Sequence, residues 1–401
     1  MNILFLTLVN ISGFEEKQNI YADQCRELVR RGNRVHIVCP DESGKDTRFI
    51  PYGEGSGVLR VKTGQVQKTS LLRKGIATLT LGTRFKNAIK KHLKNTKYDM
   101  VMYSTPPITL VNIVKYIKKR DGAKTYLLLK DIFPQNAVDL GMMRKTGLKA
   151  PIYWYFRHLE RKLYAISDRI GCMSQANADY IIAHEPQLTP EIVHVSPNSF
   201  DPETISIPSE ERKKLREKYK LPADKNIFVY GGNIGRPQGV DHIIACMKAI
   251  AHKEDCFFVI CGNGTEYKKL EAYVQESKQT NLLLLPGLPR KEYEEFVGCC
   301  DAGLIFLDHR FTIPNFPSRL LSYMQKTMPV IACTDPVSDV GKVIEEGQFG
   351  LWCESDDPEK FVQAVERLCT QDFSVLGQNA AAYLKAHYNT QIVADIILNG
   401  E

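Results

Sequence analysis

Short apolar or β-branched runs alternate with segments of helical period along the whole chain, the pattern that βα units of a parallel sheet produce. In the first half the runs predict strands over Ile3–Val9, Arg34–Pro40, Val58–Thr63, Met100–Ser104, Thr125–Lys130, Arg169–Met173 and Ile192–Pro197, with helices in most gaps. A run such as ILFLTLV is apolar on both faces, which suits a sheet covered by helices on each side. From Asn198 to Glu210 the periodicity stops at Pro202, Pro208 and several turn-formers, which predicts a linker over 199–210. A second series of strands follows over Ile227–Gly231, Phe257–Cys261, Leu282–Leu285, Gly303–Leu307, Val330–Cys333 and Leu351–Glu354. No self-similar period appears, which excludes solenoids and propellers. The pattern therefore predicts two open α/β domains of the Rossmann-like kind, over 1–198 and 211–375, and a helical tail over 376–401.

Composition narrows the class. A chain of 401 residues exceeds what one core usually organises, and no stretch approaches the ~20 apolar residues of a membrane-spanning helix. Met1–Val9 is apolar but short, with no basic flank and no small-residue cleavage pattern, and is read as a strand rather than a signal peptide. The cysteines number eleven, an odd count with no C-x-x-C pair. Cys39, Cys172, Cys261, Cys333 and Cys353 read as small buried hydrophobes, and adjacent Cys299 and Cys300 lack zinc-chelating spacing. The expectation is a reduced, cytoplasmic protein with no structural metal and no cofactor.

The net charge of +7 is modest, but its distribution is uneven. Arg84 to Lys97 carries Arg84, Lys86, Lys90, Lys91, Lys94 and Lys97 with no acidic residue, while Phe85, Ile89 and Leu93 recur on one helical face. Lys115, Lys118, Lys119 and Arg120, then Arg144, Lys145 and Lys149, extend the bias. Two readings stand side by side: a solvated basic face, or attraction to an anionic membrane surface from the inner side of the plasma membrane. Nucleic acid is not expected as a partner, because no aromatic and basic residues interleave in a reader motif.

Chemistry is sought in the loops after strands, since ligands of open parallel sheets lie outside the strands' carboxyl ends. In VYGGNIGRPQGVDHII, Gly231, Gly232, Gly235 and Gly239 surround a turn that opens a helix, either a phosphate cradle or a tight turn. FFVICGNGTEY repeats the arrangement one βα unit later with Gly262 and Gly264, and LLLLPGLPRKEY sets Leu288 and Arg290 around Pro289, a ligand frame or a plain helix start. In FTIPNFPSRLLSYMQKTMPVIACTD, Pro317, Ser318 and Arg319 put a hydroxyl and a cation at one helix start ahead of Leu320 and Leu321. A cation opposes the helix dipole there unless an anion sits nearby, so a diphosphate site is the sharper reading. Asp131, at the end of TYLLLKD, is either a turn aspartate or a participant in chemistry.

The order YGGNIGRPQG, CGNG, LPGLPRKEYEEF and PSRLLSYMQKTMPVIACTD resembles the C-terminal half of retaining glycosyltransferases of family four, and KDIFPQNAVDLG, SDRIGCMSQANADYI and VSPNSFD resemble segments of its N-terminal half. The branch most similar is the bacterial surface-polysaccharide one, which includes colanic-acid and N-acetylfucosamine transferases. The resemblance covers essentially the whole chain. It implies the GT-B fold, two Rossmann-like domains facing each other across a cleft, with the tail partly packing back on the first domain. It implies transfer of a sugar, an N-acetylhexosamine or deoxy derivative, from a nucleoside-diphosphate donor, UDP-linked, to a polysaccharide or polyprenyl-diphosphate-linked saccharide, with retention and without a metal. Donor contacts then fall on Gly232, Asn233, Gly235, Arg236, Gln238, Gly262, Gly264, Leu288, Arg290, Pro317, Ser318, Arg319 and Leu320, acceptor contacts on Ser12 and Gly13, and catalytic roles on Asp131 and Arg319. The chain departs from the pattern where Asn233 and Gln238 replace an Arg and a Lys, and where Pro314 and Ser322 replace the carboxylates of an E-x7-E pair. Arg236 and Arg319 are the replacement cations, since guanidinium binds phosphate bidentately. A UDP-sugar 2-epimerase and a non-catalytic partner of a polysaccharide assembly complex are the alternatives.

Overall fold

The computed structural model describes residues 1–17, 19–42, 46–63, 71–148, 150–201, 203, 205 and 207–399, with the backbone alone for 71–79. Two compact units emerge: Met1–Asp201 joined by Asn389–Glu401, and Pro202–Tyr388.

The first unit is an eight-stranded sheet of β1 (Asn2–Leu6), β2 (Arg34–Asp41), β3 (Arg48–Tyr52), β4 (Ser56–Lys62), β5 (Met100–Ser104), β6 (Lys124–Leu129), β7 (Arg169–Cys172) and β8 (Val193–Val195), in the order β3-β4-β2-β1-β5-β6-β7-β8. Every neighbouring pair is parallel except β3 and β4, an antiparallel hairpin at one edge. Helices α1 (Ile20–Arg30), α2 (Leu71–His92), α3 (Val111–Asp121), α4 (Gln135–Asp139), α5 (Ala150–Ile166) and α6 (Gln175–His184) make most of the connections. Asn19 starts α1 by accepting the amides of Tyr21 and Ala22. Phe85, Ile89 and Leu93, the apolar row expected among the lysines, are buried.

The second unit is α7 (Ser209–Lys218), β9 (Asn226–Asn233), α8 (Val240–Ala249), β10 (Cys256–Asn263), α9 (Tyr267–Ser277), β11 (Leu282–Pro286), α10 (Arg290–Gly298), β12 (Ala302–Phe306), α11 (Arg319–Gln325), β13 (Val330–Thr334), α12 (Val340–Glu346), β14 (Gly350–Glu354), α13 (Pro358–Cys369) and α14 (Phe373–His387). Its six strands run β11-β10-β9-β12-β13-β14 and are all parallel. The order reverses between β9 and β12, and at such a switch the loops leaving the two strands diverge to opposite faces and leave a crevice at the carboxyl edge. Phe228, Tyr230, Phe258, Phe306 and Phe361 fill the core beneath.

The last helix, α15 (Thr390–Asn399), belongs to the first unit. Val393, Ala394 and Ile397 enter the cluster that holds Phe5, Leu28 and Val35, and Arg31 pairs with Asp395 while donating to Gln391 O at 3.0 Å. The division between units falls at Asp201, inside the expected linker, and α14 stays with the second unit, so the return to the first begins at Asn389 rather than at 376.

Several strand expectations need revision, including the strand expected over Ile192–Pro197, which is β8, only Val193–Val195, and the one expected over Val58–Thr63, which is β4, starting at Ser56. The edge strand β3 went unpredicted because Arg48 and Pro51 interrupt a five-residue segment whose only partner is β4. Strands β9 and β10 run two residues past Gly231 and Cys261, since the ladder continues through Gly262 with Gly232 and Asn263 with Asn233. Strand β1 stops at Leu6, short of Val9. All eleven cysteines are free thiols, and all but Cys369 are buried. No helix among the described residues is long and apolar enough to cross a membrane.

Candidate functional site: the carboxyl edges of the two sheets

At the β9 and β10 tips the glycines are fixed by packing. A Cβ on Gly262 would lie 1.8 Å from Gly232 O, and one on Gly264 would lie 2.0 Å from Ile234 O, so the two loops touch backbone to backbone. Gly232 differs: its φ of +128° requires glycine, and the space its missing Cβ leaves is bordered by the Arg319 guanidinium, with Nη2 at 3.2 Å. The loop beyond closes on itself. Gln238 Oε1 accepts from Asn233 Nδ2 at 2.8 Å and from the Gly235 amide at 3.2 Å, and Tyr230 Oη donates to Asn233 O at 2.7 Å. The two residues that stand in place of cations thus brace one another. Arg236 projects outward, about half exposed, with Glu266 at 3.7 Å.

Arg319 opens α11, where its charge opposes the helix dipole. Its guanidinium carbon sits 4.3 Å from the centroid of the Tyr230 ring, and Nη1 is buried with no hydrogen-bond partner among the described residues. An unpartnered buried donor on a cation is costly. Ser318, at the N-cap, is exposed and makes no capping hydrogen bond. Pro317 is half-buried. Leu320 is fully buried and its amide donates to Pro317 O at 3.1 Å, so it serves the packing of α11. The loop before α11 is pinned from β13: buried Asp335 accepts the amides of Val337 and Ser338 and the Ser338 hydroxyl, and Ser338 Oγ accepts the Asn315 amide at 2.9 Å. Burial pushes the Asp335 carboxyl up to about 6 against these hydrogen bonds, which pull it down.

One residue that sequence reasoning missed is Glu294 of α10. Its Oε2 accepts from Ser322 Oγ at 3.4 Å and pairs with buried Lys326. A carboxylate therefore reaches Ser322 from another helix, at the position where the resemblance expects a glutamate on α11 itself. No spacing along one segment reveals such a substitution. Leu288 is half-buried, Arg290 is exposed at the first position of α10, and the Gly287 amide between them and β11 is held by Asn263 Oδ1 at 3.1 Å.

In the first unit, the loop after β1 presents Ser12, whose amide and hydroxyl both bond Glu16 Oε2 at 3.0 and 2.9 Å. Apart from its two chain neighbours, none of the described residues comes within 4 Å of where a Gly13 Cβ would stand. Past β6, both Asp131 oxygens accept from Asn136 Nδ2, at 2.7 and 2.9 Å. Burial raises the Asp131 carboxyl to about 6, opposed by Asn136 and the Ile132 amide. The neighbouring Lys130, which the sequence did not single out, has its ammonium lowered to about 7 by burial and donates to Ser196 O at 3.3 Å.

Residues 18–204 match the Glycosyltransferase Family 4 domain and residues 211–385 the Glycosyl transferases group 1 domain, one in each unit. The chain belongs to the glycosyltransferases. This glycosyltransferase is 23% identical over 327 residues to a probable glycosyltransferase, WbjE, of Pseudomonas aeruginosa, covering 81% of the chain and 79% of the relative. It is 23% identical over 262 residues to the N-acetylgalactosamine-N,N'-diacetylbacillosaminyl-diphospho-undecaprenol 4-alpha-N-acetylgalactosaminyltransferase of Campylobacter jejuni, covering 65% of each. Its fold matches HepE of Anabaena, solved in complex with UDP-glucose, with a TM-score of 0.69 at 13% identity over 100% of this chain and 99% of that one. The glycosyltransferase thus has the GT-B fold that the sequence implied, and the loops leaving β9, β10 and β12 lie in its group 1 domain.

Proposed function

We propose that this glycosyltransferase moves a sugar, an N-acetylhexosamine or a deoxy derivative, from a UDP-linked donor to a lipid-linked or surface-polysaccharide saccharide, with retention and without a metal. The observation that supports this most is the Arg319 guanidinium, which carries a buried Nη1 without a partner among the described residues, beside Gly232, whose positive φ requires glycine. A donor diphosphate completes that donor set. Breaking the anomeric C–O bond builds negative charge on the departing diphosphate, and a preorganised cation in a half-buried site stabilises it better than water does. Ser318 offers a free hydroxyl to the same group, and Arg236 an outer charge that reaches about half into solvent. The uridine and the acceptor rest on kinship: HepE was solved with UDP-glucose, and the Campylobacter relative is named for an undecaprenol-linked substrate. On the acceptor side the reading assigns Ser12 and Gly13 to contacts and Asp131 to proton handling, with Asn136 holding its carboxylate in place.

Incubation of purified protein with UDP-N-acetylhexosamines and a polyprenyl-diphosphate saccharide, with EDTA present, tests the whole reading. New product with the donor's anomeric configuration by NMR supports it. Release of a 2-epimer without acceptor, or inverted product, contradicts it.

A further inference from the structure

Ten large hydrophobic side chains are exposed among the described residues, and five of them, Met142, Leu148, Ile152, Trp154 and Tyr155, fall within fourteen consecutive positions. The concentration is not a packing accident of one helix face. Helix α5 keeps Tyr153, Leu163 and Tyr164 for the interior and turns Ile152, Trp154 and Tyr155 outward at 54%, 53% and 48% exposure, and the loop before it adds Met142 and Leu148, the latter fully exposed. The loop and helix are tied together, since Trp154 Nε1 donates to Lys145 O at 3.3 Å. Between Leu140 and Leu159 the chain has no acidic residue, while Arg144 and Lys145 are exposed beside the apolar groups. Farther along the same helix, exposed Arg161 and Lys162 continue the basic face, and the first acid, Glu160, is buried and paired with Arg157.

We propose that this face, the 142–148 loop with the outer side of α5, is the surface by which the protein docks on an anionic lipid bilayer. A tryptophan, a tyrosine and aliphatic tips ringed by cations match the polar–apolar boundary of a membrane, where aromatic rings sit at headgroup depth and basic residues meet lipid phosphates. The chemistry disfavours a second copy of the chain. A two-fold contact through this patch would set its cations against themselves with no acidic residue of the patch to answer them. The surface differs from the basic row on α2, where none of the residues whose side chains are described is an exposed large hydrophobic. The inference deepens the proposed reading and rests on it only for the lipid anchor of the acceptor; docking itself is measured without donor or acceptor.

Flotation of the protein with phosphatidylglycerol–phosphatidylcholine vesicles, beside vesicles of phosphatidylcholine alone, tests it. The wild type should float with the anionic vesicles and not with the neutral ones. The triple variant Ile152→Ser, Trp154→Ser, Tyr155→Ser should bind at least about tenfold more weakly, and so should Arg144→Glu, Lys145→Glu, since each cation near an anionic surface contributes about a fivefold factor. Brominated lipid should quench tryptophan emission in the wild type and not in Trp154→Phe. UDP binding by the same variants, measured without lipid, should remain at the wild-type level, which separates failure of the docking surface from failure of the donor reading. Wild-type protein that stays off anionic vesicles, variants that float like wild type, or a wild-type dimer in light scattering that the triple variant converts to a monomer would each overturn the proposal.

Discussion

Two loops at corresponding places in the two sheets carry glycine for opposite reasons. At the β9 and β10 tips, the space a side chain would need on Gly262 and Gly264 is already filled by the chain's own backbone. In the loop after β1, none of the described residues beyond the chain neighbours comes within 4 Å of where a Gly13 Cβ would stand. A glycine-rich strand tip is therefore ambiguous in sequence: the same residue marks internal close packing in one unit and a position with room for a side chain in the other. In the second unit the proposed reading puts the chemistry instead on Arg319, whose guanidinium packs over the Tyr230 ring while its buried Nη1 has no partner among the described residues, and Asn233 and Gln238 hold the loop shape between themselves.

The comparison breaks first at Arg319. Replacing it with Ala should lower turnover by about two to three orders of magnitude, with the thermal midpoint little changed or raised, because a buried unpartnered cation is removed; steady-state kinetics and calorimetry together check this. Next comes Gly264→Ala, which sets a Cβ against Ile234 O. It should cost about 1–3 kcal/mol of stability or more by urea denaturation, and a neutral result would mean that the β9 and β10 loops separate easily. Asp335 gives a smaller, pH-dependent effect. Its folded carboxyl titrates near 6, above its ordinary 3.8, so the native state holds the proton more tightly than the unfolded chain. This group's contribution is complete below about pH 4, is lost as pH rises towards 6, and is flat above. Asp335→Asn should flatten that part of the stability profile, measured by denaturation between pH 4 and 7. Asp131 follows the same sign for stability; if its carboxylate accepts a proton in the reaction, turnover rises through pH 6 and that limb disappears in Asp131→Asn. The smallest effect is expected for Gly13→Ala, within about 0.5 kcal/mol of wild-type stability, with a raised KM for acceptor as the only change.

Most of the fold was legible in the sequence, because buried parallel strands leave uninterrupted apolar runs and the helices between them leave a clear period. What escaped had physical causes. Strand β3 is held by one partner and contains a proline, so its pairing is tertiary in origin. The last two residues of β9 and β10 look like loop because they are glycine and asparagine, yet they pair with each other. In the site, the segment around Arg319 was legible because a cation at a helix start is locally anomalous. The Glu294 carboxylate beside Ser322 was not, because α10 and α11 meet only after β12 is laid between them in sequence. Nor did the chain's order show that Lys130 loses its ordinary basicity, since that follows from burial alone.

The central claim is that Arg319 waits for a diphosphate. Isothermal titration of UDP into the wild type and into Arg319→Lys and Arg319→Ala tests it most directly. The account predicts binding by the wild type, weakened in Arg319→Lys, which keeps the charge but loses the planar fork, and abolished in Arg319→Ala. Equal binding by all three, with each protein folded, would contradict it.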